Sequence, residues 1–138
     1  MKHKYFLDAN VLISGLISKG NERNLLEHGR RATLRLITSD FALQEVRDFL
    51  IESDFKLERI EEYLIYLKSI CEVIRISSDE VRRYWDVLDD KNDVPILAAA
   101  IRSKAILVTG DKPFCASIYT ASSSICYTNN YSNARMNN

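Results

Sequence analysis

The chain has 138 residues, 46% of them hydrophobic and 28% charged, the composition of one globular domain with a core of its own. Its 19 basic and 19 acidic residues cancel to a formal net charge of zero, which excludes a broad basic face for a long duplex but leaves room for a small local one. Three cysteines (Cys71, Cys115 and Cys126) and two histidines, with no C-x-x-C pair, argue against a disulfide scaffold and a zinc site and fit a reducing cytoplasm.

In chain order, "KYFLD" from Lys4 predicts a short buried strand, and Asn10 to Ile17 one or two helical turns. Basic residues ahead of this apolar stretch imitate a secretion signal. Asp8 and Asn10 interrupt it, however, and no small-residue cleavage pattern follows, so no signal peptide is expected. No apolar run is long enough to cross a membrane. Asn21 is expected to cap a helix "ERNLLEH" that stops at Gly29. "LRLITS" predicts a second strand. "DFALQEVRDFLIE" predicts a helix, and "KLERIEEYLIYLKSI" another, with Leu57, Ile60, Leu64 and Leu67 on one stripe bordered by Tyr63 and Tyr66. "CEVIRI" predicts a third strand. Ser77 and Glu80 form a capping-box pattern for "DEVRRYWDVL", a helix in whose core Trp85 is expected to pack. "VPILAAAIRSK" predicts a buried helix with Pro95 tolerated in its first turn. "AILVTG" predicts a fourth strand and "SSICYT" a fifth.

Alternation of helices with apolar, β-branched strands predicts an α/β fold, a parallel sheet covered on both faces. One domain is expected over residues 1–128, with a polar, flexible tail over 129–138.

Ligands of an open parallel sheet gather outside the carboxyl ends of its strands. Asp8 ends the first strand and Asp111 follows the fourth; if these strands are neighbours, the two carboxylates share a crevice. Asp40 follows the second strand, but Ser39 and Asp40 read more simply as the start of a helix. Glu45 lies one helical turn from both Phe41 and Phe49, which the pattern assigns to the apolar side of their helix. It either joins a site or reaches solvent from the edge of that stripe. Asp93 sits at a helix start, where acids are common and Asp90 can be the cap, or it points into the same crevice. Converging carboxylates raise one another's pKa. A divalent cation relieves that repulsion, an all-oxygen ligand set suits Mg²⁺ or Mn²⁺, and such a site suits phosphate chemistry.

Taken together and in this order, "LDANVLISGL", Glu45 in "LQEV", Asp93 in "DVPILAAA" and "LVTGD" ending at Asp111 resemble the PIN-domain ribonucleases. The nearest group is similar to the small single-domain toxins of toxin–antitoxin pairs, of the virulence-associated protein C type. The resemblance runs from Lys4 to about Phe114. It implies a Rossmann-like three-layer α/β/α domain that hydrolyses phosphodiester bonds of single-stranded RNA with Mg²⁺ or Mn²⁺. By this resemblance Asp8, Glu45, Asp93 and Asp111 would be the catalytic, metal-centred acids. Asn10 would orient the first acid and Thr109 would supply the hydroxyl before the last. Asn10 reads otherwise as a helix cap, and Thr109 as an ordinary strand residue. A cognate antitoxin is implied as partner, and the region between Asn21 and Leu67 as the clamp that meets it or a second subunit of a homodimer.

RNA would be drawn in by basic and aromatic groups. Arg23, Arg30, Arg31, Arg35, Lys112 and Tyr84 are candidates, each otherwise a solvated surface side chain. After Phe114 the Ser/Asn-rich sequence departs from the family pattern. Two other functions compete. "DANV" resembles the nucleophile loop of haloacid-dehalogenase-type phosphatases, but Asn10 cannot act as that family's second acid, and "GDKPFC" lacks the acid of its metal loop. A catalytically silent PIN-like domain that binds RNA or an antitoxin is the other, and the presence of all four acids argues against it.

Overall fold

The computed structural model describes residues 4–109, together with residues 126–127 as a strand. The first part of the chain forms β1 (Lys4–Leu7), α1 (Ala9–Ile17), α2 (Asn21–Arg30), β2 (Arg35–Ser39), α3 (Asp40–Glu52), α4 (Leu57–Ile70) and β3 (Cys71–Ile74). After these come α5 (Ser78–Arg83), a 3-10 turn (Lys91–Asp93), α6 (Val94–Ser103), β4 (Ile106–Val108) and β5 (Cys126–Tyr127). The five strands are all parallel in the order β3-β2-β1-β4-β5. The chain steps outward from β1 to β2 and β3, then returns to the other side of β1 to lay down β4. The order therefore reverses between β1 and β4, and a crevice opens there at the strand tips.

Consecutive strand residues point to opposite faces. Phe6 with Leu7, Leu36 with Ile37, and Leu107 with Val108 are buried as adjacent pairs, so both faces are covered and helices flank the sheet in three layers. α6 supplies Ile96, Leu97 and Ala98 through Ala100 to that core. No helix among the described residues is long and apolar enough to cross a membrane.

Several local expectations are corrected by packing. Asn21 is the first residue of α2 rather than its cap; Gly20 holds the cap position and makes no side-chain cap bond. Gly29 does not end that helix, which runs on to Arg30. It is there for close approach, since a Cβ at Gly29 would lie 2.3 Å from Cδ1 of Leu36 on β2. Leu57, expected on the buried stripe of α4, is 61% exposed in the first turn, while Ile60, Leu64 and Leu67 are buried. The Ser77–Glu80 capping box forms, but its helix stops at Arg83. Beyond it Trp85 and Val87 bond back three residues to Arg82 and Tyr84. The Lys91 ammonium donates to the carbonyls of Trp85 and Leu88, which tightens the chain into turns. Trp85 is consequently 44% exposed and outside the core. Burial pushes the Cys71 thiol up to about 12, so it is inert as a nucleophile.

α1 and α2 meet at Gly15, where an added Cβ would lie 2.4 Å from Cδ1 and 2.8 Å from Cγ of Leu26 and 3.1 Å from the Glu22 carbonyl oxygen. Leu26 is itself fully enclosed, so it has no room to retreat. Gly15→Ala is therefore expected to destabilise the fold by about 1–3 kcal/mol despite alanine's better helix propensity. Urea unfolding of the variant beside wild type measures it.

Candidate active site

The site starts from the pairing of β1 with β4. Leu7 aligns with Val108, and the Asp8 N–H donates to the Val108 carbonyl at 3.3 Å. This extends the ladder by one bond and brings Asp8 and Thr109 side by side at the strand tips. Asp8 is extended (φ −78°, ψ 172°) and caps α1, its Oδ1 accepting the Val11 N–H at 3.0 Å. Its Oδ2 accepts the hydroxyl of Thr109. Asp8 is only 7% exposed and Thr109 is fully buried. The helix N-terminus and two donors thus offset part of the desolvation of this carboxylate.

The capping role was not foreseen in the sequence, although an acid directly between a strand and a helix is a cap signal. Asn10, the expected orienting residue, lies exposed in the first turn of α1. The two bonds to Asp8 given above come from Val11 and Thr109. β2 is tied to the same place, for the buried Thr38 hydroxyl donates to the Leu7 carbonyl at 3.0 Å. Ser39 caps α3 through the Ala42 N–H at 3.1 Å, and Asp40 accepts the Phe41 N–H at 2.9 Å, both in keeping with a simple helix start.

α3 buries Ala42, Leu43, Val46 and Leu50. Phe41 and Phe49, which the sequence pattern put on the apolar side, are 39% and 40% exposed. The helix is rotated from that reading, because Leu43 and Leu50 compete for the same interior. Glu45 accordingly lies on an outward stripe between two phenyl rings. Its carboxyl pKa is nevertheless raised, first by partial desolvation and then by the negative charges of Asp93 and Asp8, with smaller contributions from Asp48 and Asp90. Asp8 and Asp93 are therefore each within electrostatic reach of Glu45, although the three come from a strand tip, a mid-helix position and a helix start.

Asp93 is half-buried at the N-cap position of α6 and makes no side-chain cap bond to that helix. Capping of the preceding 3-10 turn falls to Asp90, which accepts the Asn92 N–H at 3.0 Å. Asp111 and Lys112 lie outside the described residues. Of the candidate RNA contacts, Arg23 donates to the carbonyls of Gly15 and Leu16 and so closes the end of α1. Arg30 and Arg31 pair with Glu27, and Arg35 with Glu72. Tyr84 packs against the core.

The donor set suits a hard divalent cation by its chemistry: carboxylate oxygens gathered where their charges already oppose one another. Among the described residues, no three Asp, Glu, His or Cys side chains enclose an ion-sized space as they stand. Asp8, Glu45 and Asp93 are of the right chemical type for such an ion, but as they stand they do not form a metal site by themselves.

A three-layer α/β/α domain with carboxylates drawn to the switch point of a parallel sheet is the class that fold and site define. The chain matches the family model described as PIN domain over residues 4–113 and belongs to that family. No curated protein matches it in sequence. Solved structures share its fold. VapBC2 from Rickettsia felis, bound to a DNA fragment from its promoter, is similar at a TM-score of 0.63 and 24% identity, over 80% of this chain and 90% of that one. A toxin–antitoxin complex from Klebsiella pneumoniae gives 0.58 and 20%, over 78% and 86%. FitAcB from Neisseria gonorrhoeae gives 0.61 and 15%, over 91% and 97%.

Two predictions come from this geometry. In Asp8→Asn the amide oxygen can still cap Val11, and the Thr109 hydroxyl can turn to accept from the amide nitrogen. Metal-free stability in EDTA should therefore change by less than about 1 kcal/mol. Asp8→Ala loses both bonds and strands a buried hydroxyl, so it should cost about 1–3 kcal/mol. Urea titrations of the two variants separate these outcomes.

The second prediction concerns Glu45. A carboxyl with a raised folded-state pKa binds more protons folded than unfolded, so its ionisation lowers stability as pH rises past the ordinary value of 4.5. Glu45→Gln should melt slightly above wild type at pH 7.5 in EDTA, and the gap should close as pH falls below 4.5. Paired melting curves across that range test the sign.

Proposed function

We propose that this chain is a metal-dependent endoribonuclease that cuts single-stranded RNA, acting in the cytoplasm as the toxin of a toxin–antitoxin pair. The observation that carries the reading is that, in a PIN domain with Asp8 at the β1–β4 switch point, the charges of Asp93 and Asp8 both raise the pKa of the Glu45 carboxyl. Asp111, two residues beyond Thr109, is the fourth acid of the proposed set. The fold shared with a toxin–antitoxin complex supports the biological role. So do Leu57 and Ile65 on α4, 61% and 67% exposed, which suit an antitoxin or a second copy of the chain.

Asp8, Glu45, Asp93 and Asp111 would hold Mg²⁺ or Mn²⁺. When bound, such a cation neutralises phosphate charge and lowers the pKa of a water molecule. The protein's own part is orientation and proton transfer. Thr109 and the Val11 N–H fix both oxygens of Asp8, so its carboxylate plane is set before substrate arrives. Glu45 orients the attacking water and accepts its proton at a carboxylate oxygen. The new P–O bond forms in line with the bond to O3′ that breaks, and O3′ takes up a proton. The products carry 5′-phosphate and 3′-hydroxyl ends.

The test is cleavage of single-stranded RNA by the chain freed from any partner. Mn²⁺ should support it and EDTA should stop it. Asp8→Asn, Glu45→Gln and Asp93→Asn should each lower kcat by at least about 100-fold, with melting temperatures retained. Full activity in Asp8→Asn, or RNA binding by wild type without cleavage, would overturn the assignment.

A further inference from the structure

Beside the acids, an open groove of about 740 Å³ runs between the first turn of α3, α5, the turn after it and the start of α6. Phe41, Val81, Arg82, Trp85, Asp86 and Pro95 are among the residues that line it, and its size is that of clefts which take small organic groups. Two aromatic rings face water there, Phe41 at 39% and Trp85 at 44% exposure. Burial ordinarily removes such surface, and a pair left exposed on one groove marks a binding face.

Its position ties it to the acids. Phe41 stands four residues, about 6 Å of helix rise, before Glu45 on the same face of α3. Pro95 is two residues beyond Asp93 on α6. One strand of nucleic acid with a phosphate at the acids would carry a neighbouring base past these rings. Charge at the rim agrees. The Lys91 ammonium lies 5.5 Å from the centre of the Trp85 ring. The Arg82 guanidinium is held by Asp79 at 3.0 Å in a pair exposed on both sides, and a phosphate can replace such a weak partner. Asp86 is the opposing charge on the wall, and it is exposed to solvent.

We propose that this groove is the base-stacking subsite of the nuclease: a nucleobase next to the scissile phosphate of single-stranded RNA lies against Phe41 and Trp85, which position the strand. The proposal rests on the nuclease reading for its chemistry but not for the binding itself. Stacking accepts every base, because each has a π-face, so the subsite grips without reading sequence.

Trp85 is the single tryptophan of the chain, which makes its emission a reporter inside the groove. The experiment mixes the full chain rapidly with short single-stranded homopolymers of each base in Mg²⁺ and reads Trp85 emission before cleavage. A ribose–phosphate oligonucleotide without bases is the control. Saturable quenching by all four homopolymers and none by the abasic chain is expected. Phe41→Leu, at an exposed position, should fold normally, weaken binding about tenfold and raise KM with kcat nearly kept. Phe41→Tyr, which restores a ring, should recover the wild-type KM. Emission that RNA leaves unmoved overturns the groove assignment, even if the chain cuts RNA. Quenching by the abasic chain, an unchanged KM in Phe41→Leu, or emission that responds to a protein partner and not to RNA overturns it as well. Quenching with the Phe41 effect but without cleavage keeps the groove and refutes the nuclease reading.

Discussion

Asp8 places a carboxyl group where an ionised one is strongly disfavoured, 7% exposed at the end of a central strand. An isolated carboxylate there would cost several kcal/mol. The hydrogen bonds from Val11 and Thr109 offset much of that cost, and each enforces something larger. The Val11 bond makes α1 start immediately after β1. The Thr109 bond requires β4 to lie next to β1 and in register, because a slip of one residue would turn the hydroxyl to the other face. Strand order, the start of α1 and the position of the acidic site thus share one carboxylate.

The same interaction explains why part of the molecule was legible in sequence and part was not. Strands such as "LRLITS" and "CEVIRI" and the helix "DFALQEVRDFLIE" announce themselves through local periodicity, which acts within a few residues. Ser77 with Glu80 did so through chemistry that also closes locally. Gly29 was misread because its constraint, the side chain of Leu36, belongs to a different element. Phe41 and Phe49 were misplaced because several apolar residues of α3 compete for one interior and only the sheet decides among them. Trp85 was assigned to a helix core that ends two residues earlier, for the carbonyls that stop it are gathered by Lys91 from beyond the helix. The nearness of Asp8, Glu45 and Asp93 was inferred from residue type and order. The structure adds the direction of the field at Glu45, which no periodicity contains.

Cations are distributed differently from acids. Arg23, Arg30, Arg31, Arg35 and Arg47 are all occupied by carbonyls or carboxylates of the chain itself. Most of these pairs are exposed and contribute little to stability, but they fragment the positive potential of the described surface. Among the described residues these arginines are spread over separate elements and paired locally, so they do not form one basic face.

Thr109 follows Asp8 by 101 residues. During synthesis the acid therefore emerges about a hundred residues before the hydroxyl that fixes it. β4 must then insert beside a β1 made long before, a long-range parallel pairing of the kind that closes slowly. Until β4 has paired with β1 the switch point does not exist, however well the intervening helices have formed. The setting of the Asp8 carboxylate is in this way timed by topology alone, because it waits for a strand made about a hundred residues later.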